Sequence, residues 1–112
     1  MKYRNTKIEV GGIKYDSKAE LARHLKLKEM ERDGLIRCLE TQVKYTLLPA
    51  VQYEGERKKA AMKYIADFTY WQGDKHVIED VKGMPTPVFN VKRHMMKALH
   101  GLEVKIVKVK AK

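Results

Sequence analysis

Asp67 is followed, about one hairpin later, by Glu79-Asp80-Val81-Lys82-Gly83. An acid, a gap and then acid-any-lysine is an arrangement suited to metal-dependent phosphodiester chemistry. Side chains alternate along a strand, so Asp80 and Lys82 project to one side and Glu79 and Val81 to the other. If Asp67 lies on the neighbouring strand and faces the same way, two carboxylates and a lysine converge. That set can hold a hard divalent cation and orient a water beside a phosphate.

Each residue taken singly has a plainer explanation. Asp67 can be a solvent-facing residue of a half-exposed strand, although Asp is depleted in strand interiors. Asp80 and Lys82 can be a surface ion pair worth well under ~1 kcal/mol. Their coincidence in one hairpin of a strongly basic chain favours a joint site. Glu79 joins it only if a bulge or twist turns it round. Ser17-Lys18-Ala19-Glu20 reads as a capping box, which accounts for Ser17 and Glu20 without chemistry. On a helical wheel Glu20 lies about 90° or more from the middle of the apolar arc, yet it can point along the axis toward a sheet edge.

The elements that must position these residues follow from pattern. Lys7 to Tyr15 reads as a hairpin turning at Gly11-Gly12. Asp16-Ser17 opens a helix that runs to about Arg32, with Ala19, Leu21, Ala22, Leu25 and Met30 in one apolar arc, and Asp33-Gly34 stops it. Ile36 to Leu48 is a β-rich segment closed by Pro49, and the charged stretch around Glu54 to Lys59 is an exposed turn. Ala61 to Trp71 is a long strand in which Met62, Tyr64, Ala66 and Phe68 alternate with Lys63, Ile65, Asp67 and Thr69. Gln72-Gly73-Asp74 turns into the strand His76 to Lys82. A second helix spans about Pro87 to His100, with Val88, Val91, Met95 and Leu99 on one stripe, and Gly101 ends it. Leu102 to Val109 is a last strand, followed by a fraying Ala111-Lys112.

The chain has 112 residues, which is one domain, 1–112, with no repeat and no low-complexity segment. Its 24 Lys and Arg against 14 Asp and Glu give a net charge of +10, which points to a polyanionic partner, nucleic acid by default. The single cysteine, Cys38, excludes an internal disulfide and a cysteine-built zinc site. His24, His76, His94 and His100 show no zinc-pair spacing on a helix face. No apolar export segment follows Met1, and no run of about 18 apolar residues occurs, so a soluble protein of the cytoplasm without membrane contact is expected.

Glu20 in a first helix, then Asp67, then Asp80-Val81-Lys82 on strands, within a helix, three strands, helix, strand order, resembles the PD-(D/E)xK nuclease superfamily. More closely, Asp16-Ser17-Lys18-Ala19-Glu20, Tyr64-Ile65-Ala66-Asp67-Phe68 and Val77-Ile78-Glu79-Asp80-Val81-Lys82-Gly83 are similar to a small phage and prophage family of nuclease-like proteins. The resemblance spans Tyr3 to Val109 and draws its specificity from the order and spacing of short motifs. It implies an α/β restriction-endonuclease-like core, a mixed sheet flanked by two helices, with the N-terminal hairpin added. It implies that Asp67 and Asp80 bind Mg²⁺ or Mn²⁺, with Glu20 and the Val81 carbonyl completing the metal site. Lys82 then orients the attacking water or stabilises charge on the phosphate. Two positions depart from the pattern: Ala66 stands where proline is usual, and the second acid is Asp80, one methylene shorter than glutamate.

The remaining candidates bind rather than react. Gln42 can orient a water or a phosphate, or simply be a polar residue of an exposed strand. Thr86 is a candidate phosphate contact, and Arg57, Lys58 and Lys59 form a basic loop. Lys92 and Arg93 can grip the phosphate next to the scissile one, or Lys92 can snorkel along an apolar stem. Tyr64, Tyr70 and Trp71 can stack on bases, although core filling is the commoner role. The expectation is a DNA endonuclease that reads shape, with four-way junctions and other branched recombination intermediates as leading substrates and a homodimer for paired cuts. The alternative is a non-catalytic DNA-binding module on the same fold.

Overall fold

The computed structural model describes residues 8–15 and 17–108. Lys7, Asp16, Val109 and the Ala111-Lys112 end therefore lie outside the described residues. Strands β1 (Ile8–Val10) and β2 (Ile13–Tyr15) form a separate antiparallel hairpin. Gly11 and Gly12 both have positive φ, 59° and 84°, as a tight primed hairpin turn requires.

Helix α1 (Lys18–Arg32) starts at Ser17, whose hydroxyl accepts from the Glu20 N–H at 3.1 Å, the bond by which a capping box anchors its first turn. The chain then forms β3 (Arg37–Leu48), β4 (Met62–Gln72) and β5 (Lys75–Lys82), crosses over through α2 (Pro87–His100), and returns as β6 (Val104–Lys108). These strands make one mixed sheet in the order β3-β4-β5-β6, antiparallel except for the parallel pair β5 and β6. Helix α2 is capped by Thr86, ends at Gly101 in the left-handed region at φ 68°, and is the crossover that parallel pairing demands. No helix among the described residues is long and apolar enough to cross a membrane.

Two cores cover the sheet. On the α2 side Leu47, Tyr64, Ala66, Ile78 and Val104 pack with Phe89 and Met96, and on the α1 side Phe68, Tyr70 and Val77 pack with Leu27 and Ile36. The element order matches the sequence pattern, but three side-chain readings are corrected.

Helix α1 buries Glu20, His24 and Leu27 and leaves Leu25 more than half exposed, instead of burying the arc of Ala19, Leu21, Ala22, Leu25 and Met30. The sheet face beneath it carries Glu79, and a buried carboxylate needs charged and hydrogen-bonding partners that an apolar helix face lacks. Helix α2 buries Phe89 and Met96, a stripe about 100° round from Val88, Val91 and Leu99, which stay more than half exposed. The larger Phe89 and Met96 remove more apolar area from water, and Arg93 and His100 lock that rotation through bonds to the Val104 and Thr46 carbonyls at 3.0 and 2.8 Å. The third correction, in β4, creates the site.

Candidate functional site

Strands β4 and β5 pair only from Gln72 with Lys75 to Phe68 with Glu79. Beyond that point β4 continues beside β3, and Asp80, Val81 and Lys82 pair with Ile106, Val107 and Lys108 of β6. The sheet thus forks after Phe68 and Glu79, and Asp67 and Asp80 are the first residues on the two prongs. A side chain bridges the gap: the Val81 N–H donates to Asp67 Oδ2 at 2.9 Å.

The alternation of β4 slips at this fork. The Phe68 ring lies 5.3 Å from His24 on α1, whereas the Tyr64 ring lies 6.3 Å from Phe89 on α2. Residues four apart share a face in a regular strand, so Tyr64 and Ala66 do not belong with Phe68 as a simple period of two expects. Across from Asp67, between the pairs Thr41 with Phe68 and Val43 with Ala66, stands Gln42 at φ 54°. A non-glycine residue in this region costs of order 1–3 kcal/mol, and such strain concentrates at functional sites.

Asp80 is 2% exposed. Its Oδ1 lies 3.0 Å from Lys82 Nζ, and its Oδ2 accepts from the Tyr64 hydroxyl. Burial and that carboxylate push the Tyr64 phenol far upward, so it remains a protonated donor. The Lys82 ammonium sits 4.7 Å from the Phe89 ring centroid, a cation–π contact that fixes it at the rim of the fork. Asp67 is pushed up to about 8, first by burial and then by the Asp80 carboxylate, with the Val81 N–H pulling the other way and Glu20 adding repulsion. Glu20, 3% exposed, reaches in from α1 and accepts from Gln42 Nε2 at 3.1 Å.

Glu20, Asp67, Asp80 and Lys82 are therefore brought to one fork, with Glu20 reaching it from the helix rather than staying a cap alone. Val81 meets the acids through its N–H. Glu79 points away, as strand alternation expects. It is fully buried on the α1 side, held by Arg23 in a two-pronged contact at 2.9 and 2.7 Å and by the Tyr70 hydroxyl.

The expected binding residues divide. Gln42 belongs to the fork through Glu20. Thr86 Oγ1 accepts from the Phe89 N–H at 3.1 Å and is accounted for as a cap. Arg93 is directed to the backbone of β6, and Lys92 is half-buried on α2. Arg57, Lys58 and Lys59 lie in the exposed connection 49–61, beyond Met62, itself roughly 16 Å along the strand from Asp67. Tyr70 is a buried partner of Glu79 rather than a base-stacking surface. The sequence reading missed Arg23 and the orienting role of Tyr64. The available signals were a basic residue one turn after Glu20 and a tyrosine hydroxyl in a strand that also bears an acid.

The donor set is carboxylate oxygen, which suits a hard cation. Among the described residues no group of three or more His, Cys, Asp or Glu is arranged to hold a metal ion by itself. A pair of carboxylates does suit Mg²⁺, which keeps several waters and binds through one or two carboxylates plus substrate phosphate. A family model described as a protein of unknown function, DUF1064, matches residues 1–111. No curated protein and no solved structure matches the chain.

Proposed function

The chain belongs to the DUF1064 family, and for it we propose a metal-dependent endodeoxyribonuclease, built on a restriction-endonuclease-like core and related to the PD-(D/E)xK nucleases. The observation that carries this reading is the fork itself, which gathers Asp67, Asp80 and Lys82 from two diverging strands and Glu20 from α1. Such a notch leaves room beside the carboxylates for a hydrated cation and a phosphate.

Asp67 and Asp80 would hold Mg²⁺ or Mn²⁺, with Glu20 and the Val81 carbonyl as further oxygen donors; the cation supplies Lewis-acid stabilisation of phosphate charge and a more acidic water. Tyr64 fixes the rotation of Asp80 by occupying Oδ2. Gln42 fixes Glu20 in the same manner. Lys82, bonded to Asp80 Oδ1 and steadied by Phe89, presents an ammonium that orients the attacking water and meets negative charge as it develops.

DNA is the substrate this reading favours, with branched or junction DNA ahead of linear duplex and a homodimer for paired cuts. The +10 net charge supports a polyanionic partner. An inert DNA-binding module is the competing reading, and Mn²⁺ titration separates the two. A nuclease binds the ion in wild type and loses binding in Asp80→Ala. A chain with no saturable Mn²⁺ site, whose DNA affinity is unchanged or higher in Asp80→Ala, is the inert module.

A further inference from the structure

Besides the fork, an open groove of about 840 Å³ runs along β5, β6 and the C-terminal half of α2. It follows the sheet edge where β6 begins beside β5: buried Ile78 and Val104 line it with exposed Arg93, Lys97 and Lys108 on the α2 face, and exposed Lys75 and Lys105 line it from the other face, with Val77. Among the described residues that line it Glu103 is the one acid, and it is engaged by Lys97 at 2.8 Å. Beside Lys97, which Glu103 answers, Lys75, Arg93, Lys105 and Lys108 add four positive charges along the groove, and a polyanion relieves their repulsion together.

The dimensions distinguish between anions. The groove's lining passes from residues 75–78 of β5 to Val104–Lys108 of β6. Because Ile78 is level with Val104 and Lys82 with Lys108, Lys75 and Lys108 lie seven residues apart along the strands, or roughly 23 Å. A single phosphate or small phosphorylated molecule meets one or two of these cations, whereas a nucleic-acid backbone passes charges along the whole line. The groove also opens onto the fork: Lys108 at its rim is the register partner of Lys82 on the neighbouring strand.

We infer that this groove seats the phosphate backbone of a DNA duplex arm extending away from the strand held at the fork. The position relative to a cut strand rests on the nuclease reading; the binding of duplex DNA in the groove does not. A site of this kind adds a second track for DNA beside the fork, which is what a protein that prefers branched over linear DNA requires. The residues that make it are Lys75, Lys105 and Lys108 first, because Arg93 and Lys97 also serve α2 and β6.

The test is binding of a short fluorescein-labelled DNA duplex in EDTA, read as affinity against salt concentration. The variants are Lys75→Gln/Lys105→Gln/Lys108→Gln and a charge-matched control on exposed positions elsewhere, Lys14→Gln/Lys26→Gln/Lys28→Gln. The groove variant should lower the slope of log affinity against log salt by about 2–3, close to one for each phosphate that is no longer neutralised, and the control by less than about 1. An unchanged slope in the groove variant overturns the inference and leaves these lysines as guards of an open sheet edge. An equal fall in both variants also overturns it, since net charge would then account for the effect. Cleavage plays no part in the readout, so failure to cut DNA would count against the nuclease reading and not against the groove.

Discussion

Asp67 and Val81 are joined across the point where β4 and β5 part: the Val81 N–H donates to Asp67 Oδ2 at 2.9 Å, so a side chain replaces the ladder hydrogen bond that is missing at the fork. Asp67 thus holds the notch open at a fixed width and places a carboxyl in it. Asp67→Asn keeps an acceptor for Val81 and removes the charge. We expect a folded protein, unchanged in far-ultraviolet circular dichroism, whose Mn²⁺ affinity in calorimetric titration falls at least tenfold. Wild-type affinity in this variant would mean that Asp67 does not touch the ion.

The same carboxyl sets a pH dependence. Its folded value of about 8 lies above the unfolded value of 3.8, so the folded state binds the proton more tightly. Stability from this group is fully present below about pH 4 and is lost as pH rises through about 8. His24, lowered by burial and by Lys28, acts in the opposite sense and costs stability as pH falls below about 6.5. In EDTA the melting temperature should therefore decline between pH 6.5 and 8.5, and Asp67→Asn should flatten that decline. An identical decline in the variant would assign it to another group.

Tyr64 orients Asp80 from the α2 side, and the hydroxyl is the only part of the residue this role needs. Tyr64→Phe should cost about 1–3 kcal/mol, because one buried carboxylate oxygen loses a donor. It should weaken Mn²⁺ binding while leaving DNA affinity in EDTA unchanged. A stability loss with wild-type Mn²⁺ affinity would reduce Tyr64 to a packing residue.

Glu79 and Arg23 form the corresponding pair on the other face, to which no chemistry is assigned. Arg23→Met strands a fully buried carboxylate and should destabilise by about 3–5 kcal/mol in urea unfolding. At a temperature where the variant is folded, its Mn²⁺ affinity should match wild type. A selective loss of ion binding would place Glu79 at the metal.

The rotation of α2 is open to a comparison of two substitutions. Met96→Ala, in the core, should cost about 2–5 kcal/mol, while Val91→Ser, on the exposed stripe, should stay within about 0.5 kcal/mol. The reverse order would put the exposed stripe of Val88, Val91 and Leu99 in the core.

Local sequence rules reach some parts of this structure and not others. Period-two alternation is a local property, so the opposed faces of Glu79 and Asp80, and the shared face of Asp80 and Lys82, were legible from five consecutive residues. Helix limits were legible at Ser17, Pro87 and Gly101, where the signals are also local, whereas Thr86, a candidate phosphate contact from sequence, is the cap. The slip between Ala66 and Phe68 was not, since it depends on where β5 leaves β4 and on Gln42, which lies 25 positions before Asp67. The buried face of α1 was misread for a related reason. A wheel ranks residues by apolarity, but the sheet beneath α1 presents Glu79, and Arg23 is selected to answer it. Glu20 stood between cap and site on local grounds, and its bond to Gln42 and its proximity to Asp67 are contacts made across the fold.

The most direct test of the central claim is cleavage of end-labelled linear duplex, single-stranded, flapped and four-way-junction DNA by the purified chain with Mg²⁺, Mn²⁺ or EDTA, beside Asp80→Ala and Lys82→Ala. The predicted result is cutting that requires the divalent ion, favours branched DNA, and falls by a factor of at least about 100 in both variants. Well-folded wild-type protein that binds these DNAs and cuts none of them with either ion would contradict it.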